Sequence, residues 1–139
     1  MKFVRPVLAL SLLTLPLLAA SRFGNYTGVV AQVPFEFVVG NRIVPPGECI
    51  VQSNSAAGAT ILVRNPNAGV DVFSVASTVD TGKPAGDSAL IFHKYGNQYF
   101  LAAIRLRGMQ SVYEVPKSKA ENELRSHHVP SAERVVLPL

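Results

Sequence analysis

Cys49 and His93 are the residues whose types could supply a nucleophile and its base, since a thiol activated by a nearby imidazole is the minimal pattern for covalent catalysis. Their surroundings argue against that pairing. No glycine-lined nucleophile turn surrounds Cys49, no carboxylate is obviously placed to orient His93, and strand spacing sets Ile91 and Phe100 beside the imidazole. His93 therefore reads as a neutral side chain packed in or near the core. No catalytic residue is expected, and the chain is read as a non-enzyme. His127-His128 is the other histidine cluster. Adjacent side chains diverge in either regular structure and no third ligand accompanies them, so no metal site is expected. Gly24, Gly28 and Gly40 are too dispersed for a phosphate-cradling loop, and no cofactor is expected. Glu121 and Glu123 read as a solvated helix face shared with Lys117, Lys119 and Arg125.

The aromatics Phe35, Phe37, Phe73, Phe92, Tyr95, Tyr99, Phe100 and Tyr113 fall at strand spacing and read as core filler before they read as the lining of a lipophilic cavity. Four of them, Phe92, Tyr95, Tyr99 and Phe100, lie in one hairpin spanning residues 88–106. In that hairpin Gly96-Asn97 is a two-residue turn with the flexible residue first. Pairing Tyr95 with Gln98 sets His93 opposite Phe100, Ile91 opposite Ala102 and Ala89 opposite Ile104. Lys94 then faces Tyr99, Phe92 faces Leu101 and Leu90 faces Ala103. Both faces are apolar at the middle, so the second must be covered by a helix, another sheet or a partner. Phe92, Tyr95, Tyr99 and Phe100 are the expected contact surface.

The elements that position these residues have a two-residue period almost throughout residues 29–115. Val29, Ala31, Val33, Phe35, Phe37 and Val39 make one apolar face, with Gln32, Pro34 and Glu36 opposite. Pro34 cannot donate to a ladder, which places this run at a sheet edge or a bulge. Gly40-Asn41 and Pro45-Pro46-Gly47 are turns, and strand runs follow at 48–53, 59–64 and 70–79, separated by small polar stretches at 54–58 and 65–69. No crossover helix separates them, which disfavours a parallel sheet. After a last strand at 109–115, Ser118-Lys119-Ala120-Glu121 has the form of a capping box opening a short helix that ends near Arg125. Residues 127–139 are expected to be an irregular tail, although Arg134-Val135-Val136-Leu137-Pro138-Leu139 is apolar enough to dock as an extra strand. The expected fold is all-β: an antiparallel meander of seven or eight strands forming a sandwich or flattened barrel, with one short C-terminal helix.

Residues 1–21 read as a signal peptide. Lys2 and Arg5 give a basic start, residues 7–18 an apolar run, and Ala19-Ala20-Ser21 the small residues of a cleavage site. The run is short of the roughly 20 residues that span a bilayer and is broken by Pro16, so no transmembrane anchor is expected after cleavage. The single domain then occupies residues 22–126, in a chain exported to the periplasm or secreted. Removing Lys2 and Arg5 lowers the net charge of +4 by two, and the remaining basic residues are scattered, which speaks against a nucleic-acid partner. One cysteine allows no intramolecular disulfide, so the fold rests on its apolar core, with Cys49 read as a buried thiol. Asn25-Tyr26-Thr27 matches a glycosylation acceptor that only a eukaryotic secretory route would use.

The segments VPFEFVVG (33–40), VPPGE (44–48), LIFHKYGNQYFLAAI (90–104) and EVPKSKAENEL (114–124) together resemble small exported bacterial β-domain proteins of acidobacterial type. In these an extended VPFxF strand, a PxGxY-type turn, an FHxYGxxYFL hairpin and an LPKSxAExEL helix recur in this order. Cys49 departs from the pattern, which has an aromatic residue there. The resemblance implies a secreted β domain of the bacterial envelope and carries no activity, substrate or cofactor. The expected function is a non-enzymatic envelope or secreted module that binds a protein, a glycan or a second copy of itself. The alternative is a carrier of a small lipophilic ligand inside the β fold, and an enzyme ranks third.

Overall fold

The structure, a computed structural model, describes residues 27–54, 59–127 and 133–139. The expected signal peptide, the Asn25 acceptor, most of the 54–58 turn and His128 lie outside the described residues. The described chain forms β1 (Thr27–Val33), β2 (Phe37–Val39), β3 (Arg42–Val44), β4 (Gly47–Asn54), β5 (Thr60–Asn65), β6 (Val70–Val75), β7 (Ser77–Asp80), β8 (Ala89–Tyr95), β9 (Gln98–Arg105), β10 (Ser111–Glu114), α1 (Lys119–Ser126) and β11 (Glu133–Pro138). The strands build two sheets packed as a sandwich. The smaller has the order β1-β4-β5-β6; the larger runs β11-β8-β9-β10-β7, with β2 and β3 attached beside β9. Among the described residues, no helix is long and apolar enough to cross a membrane.

Among the described residues eleven strands replace the expected seven or eight, because two long apolar runs change sheet partway and the tail adds β11. The run at 29–39 leaves the smaller sheet after Val33 and enters the larger at Phe37, with Pro34 in the crossing where its missing N–H costs no ladder bond. The run at 70–79 crosses at Ala76, whose amide donates to the Ala59 carbonyl at 2.8 Å. Alternation survives both crossings, so Ala31, Val33, Phe37 and Val39 all point into the space between the sheets. The first crossing also makes the sheet partly parallel, because β2 runs alongside β9 in the same direction.

That space is filled by Val33, Phe37, Val39, Val44, Val51, Ile61, Val63, Leu90, Phe92 and Ile104, all buried, with Cys49 among them. Each such aliphatic or aromatic side chain contributes about 1.5–3 kcal/mol by leaving water, which is how a chain without disulfides is held. Phe92 lies edge-on to Phe35 and Phe37, with ring centroids at 4.9 and 5.2 Å. Buried Asn65 fastens two turns: its Nδ2 donates to the Pro45 carbonyl and its Oδ1 accepts from the Ala68 amide. The outer face of the smaller sheet carries exposed Val30, Phe73 and Val75.

The β8–β9 hairpin follows the expected register from Tyr95↔Gln98 to Phe92↔Leu101 and then slips. A bulge at Ala102 makes Ile91 pair with Ala103, Leu90 with Ile104 and Ala89 with Arg105. The extra residue changes which face each later side chain occupies. Ile104 turns into the core beside Leu90, while the small Ala103 and the side chain of Arg105 face outward. At the turn, Gly96 has φ +60°, a conformation that favours glycine.

The tail departs from the irregular segment expected at 127–139, because residues 133–138 form β11, antiparallel to β8. Val135 and Leu137 pack on the core, and the Leu139 amide donates to the Ser88 carbonyl at 2.9 Å. Without this strand β8 would be an edge with unpaired backbone groups.

Candidate functional site

Leu90 and Phe92 of β8 join the core, so Ile91, His93 and Tyr95 face outward from the larger sheet. Part of this outer face is covered by α1, which docks through a carboxylate. Ser118 caps the helix, its Oγ accepting from the Glu121 amide at 3.1 Å. The cap directs the Glu121 side chain at the sheet. There Oε1 lies 2.7 Å from His93 Nδ1 and accepts from the Tyr95 hydroxyl at 3.0 Å. The Glu121 side chain is 3% exposed and that of His93 29%. Glu121 is thus not part of a solvated face, and His93 is not an isolated core imidazole. The carboxylate that sequence spacing failed to find for it lies 28 residues on. Burial and then the Glu121 hydrogen bond and charge push the Tyr95 hydroxyl pKa up, because the buried phenol next to a carboxylate resists becoming an anion.

Beside α1 an uncovered part of the face forms a groove of about 590 Å³. Ile91, Ala103 and Val112 make an apolar floor across β8, β9 and β10. The floor lies low because the Ala102 bulge places Ala103, and not Ile104, on this side. Arg105, Lys117, Arg134 and His93 line it with cationic or ionisable groups, against one carboxylate, Glu114. Val79, Thr81 and Ala85 form the remaining wall. That wall is pinned: Thr81 donates through its amide and Oγ1 to the Gln110 carbonyl, and the Ala85 amide donates to the Met109 carbonyl at 3.0 Å. Arg105 Nη2 is paired with Asp87 at 2.9 Å, whereas its buried Nε has no hydrogen-bond partner among the described residues.

The expected contact surface does not form. Phe92 is fully buried, Tyr95 and Phe100 are buried, and Tyr99 is half-buried. Nor do the four share a face. Phe92 and Tyr99 lie on the core side, Tyr99 stacked on Phe35 at 3.8 Å, while Tyr95 and Phe100 meet edge-on at 5.7 Å on the outer side. The apolar second face of the hairpin is covered by the protein's own α1 and in part left as the groove. Cys49 and His93 are not brought together, since the thiol points into the core from β4 and the imidazole points away from it. Burial and the neighbouring charge of Glu48 push the Cys49 thiol pKa up, which keeps it protonated. His127 is the exposed C-cap of α1. Among the described residues, no three His, Cys, Asp or Glu side chains cluster closely enough to hold a metal ion.

Sequence reasoning missed Glu121 and the groove cations Arg105, Lys117 and Arg134. The capping-box spacing was the one signal at Glu121, and it holds for the Ser118 half alone. No protein-family model matches the chain, and no curated protein or solved structure matches it either.

Proposed function

We propose that the protein is an exported, non-enzymatic module of the bacterial envelope or its exterior, and that it works by binding a partner in the groove beside α1. The observation carrying this reading is a preformed hollow of about 590 Å³ with an apolar floor and a polar rim, within the roughly 300–1,000 Å³ range of ligand sites. The groove replaces the four-aromatic surface as the contact region. The internal-carrier alternative called for a closed strand order; the strands instead make two open sheets with a filled interior. The lining's hydroxyl, on Thr81, is engaged with the Lys83 and Gln110 carbonyls, which speaks against a hydroxyl nucleophile in the groove. Export rests on the pattern at residues 1–21 and on the resemblance to small secreted bacterial β domains.

Native mass spectrometry of protein purified from its own host's envelope tests this. The parent should carry a defined adduct or bound partner, and Ala103→Trp, which fills the floor, should lose it. A bare chain in the parent, or an adduct equally retained by the variant, refutes the groove as the binding region.

A further inference from the structure

We infer that the groove takes a small amphipathic carboxylate, its anionic end on the Arg105 side and its carbon body on Ile91, Ala103 and Val112. This rests on the reading of the groove as a binding site and adds the chemistry of what it holds. Three basic side chains, Arg105, Lys117 and Arg134, line the hollow against the one lining acid Glu114, with Asp87 paired to Arg105 and Glu121 to His93 at its margin. His93 adds a ring nitrogen: with Nδ1 held by Glu121, Nε2 is the atom left to face a ligand. Charge therefore favours an anion.

Arg105 supplies the more specific argument. Asp87 engages only Nη2, so the guanidinium keeps donors to give, and one of them, Nε, is buried without a protein partner among the described residues. Nε is shut off from solvent and out of a ligand's reach, so the donors open to a carboxylate oxygen are the terminal N–H groups that Asp87 leaves free. Ile91 and Ala103, which flank Arg105 on the same face, are buried and apolar and would waste a fully hydrated ligand such as a sugar acid. A short carbon chain ending in a carboxylate satisfies both halves.

The test uses octanoate, octan-1-ol and octylammonium against the protein of residues 22–139, read by amide chemical shifts and calorimetry. Octanoate should shift the Ile91, Ala103 and Val112 amides and bind at least about tenfold more tightly than octan-1-ol, the scale of one charge-assisted hydrogen bond. Octylammonium should bind more weakly than either. Arg105→Gln should bring octanoate down to the octan-1-ol level while leaving octan-1-ol unchanged. Should that variant fail to fold, the exposed pair Lys117→Gln and Arg134→Gln should reduce the same preference, and added salt should weaken octanoate alone. Equal binding of octanoate and octan-1-ol overturns the carboxylate and leaves the groove reading standing. Shifts with none of the three probes, or shifts centred on Phe73 on the opposite sheet, overturn the amphipathic ligand, and the groove reading is then decided by the native mass spectrum.

Discussion

Replacing Glu121 by alanine should undock α1 from the sheet. The helix has eight residues, below the roughly 12–15 at which an isolated helix becomes marginal in water, so its existence depends on what it touches. Its one buried residue is Glu121. Glu121→Ala leaves the buried Tyr95 hydroxyl and His93 Nδ1 without their acceptor. A buried polar group stranded in this way costs about 1–3 kcal/mol. Tyr95 takes most of that cost, while the partly exposed His93 recovers some hydration. The variant is also relieved of burying a carboxylate, which offsets part of the loss. The net destabilisation is about 2–4 kcal/mol, a large share of the 5–15 kcal/mol typical of a domain. It corresponds to a fall in thermal midpoint of roughly 9–18 °C. Urea and thermal unfolding followed by circular dichroism give the global value. Hydrogen exchange at the amides of Asn122 and His127, which donate to Ser118 and Glu123 within the helix, reports α1 itself. Tyr95→Phe should cost less, about 1–2 kcal/mol, because the Glu121 carboxylate it leaves behind keeps its His93 partner. A Glu121→Ala protein within about 0.5 kcal/mol of the parent, with Asn122 protection intact, would refute the view that this carboxylate holds the helix.

Alkaline pH should destabilise the fold. Tyr95 and Cys49 both have folded-state pKa values raised above their ordinary ones, so the folded chain holds these protons more tightly than the unfolded chain. The stability they contribute is complete below about pH 8.5 and declines as pH rises through 9 and 10, measurable by urea unfolding at pH 8 and pH 10.5. Deleting residues 133–139 removes β11 and should cost several kcal/mol, with concentration-dependent association through the bared β8 edge visible by light scattering. Deleting Ala102 removes the extra residue of the bulge and keeps Ala103 opposite Ile91 and Ile104 opposite Leu90, so every later side chain keeps its face and the loss should stay within about 1 kcal/mol. Chemical shifts of β9 beyond Leu101 should report the pairing as retained.

How far these features can be read from the amino acids depends on what kind of signal each leaves. Alternation of Val29, Ala31, Val33, Phe37 and Val39 marks the inward face because side chains must alternate in any strand. That period is blind to which sheet a strand belongs to, so the crossings at Pro34 and Ala76 left no trace beyond the proline itself. The Gly96-Asn97 turn sets the hairpin register correctly for four pairs, after which the bulge intervenes. Ala102, Ala103 and Ile104 are all apolar, and a phase change among apolar residues alters no pattern. The groove depends on that phase change and was hidden with it. Helix α1 could be placed from Ser118, but counting its apolar residues made it a loose surface element. It docks instead through a carboxylate whose partners lie 26 and 28 residues earlier, a relation that no local window contains.

The crossings have a mechanical consequence. At Pro34, at Pro45-Pro46 between β3 and β4, and at Ala76 the polypeptide passes from one layer of the sandwich to the other, so among the described residues the layers are riveted together by the main chain at three points. Neither layer can melt or slide on its own without dragging a strand out of its neighbour, and the molecule gains, from connectivity alone, an all-or-none behaviour that other small domains draw from sulfur crosslinks.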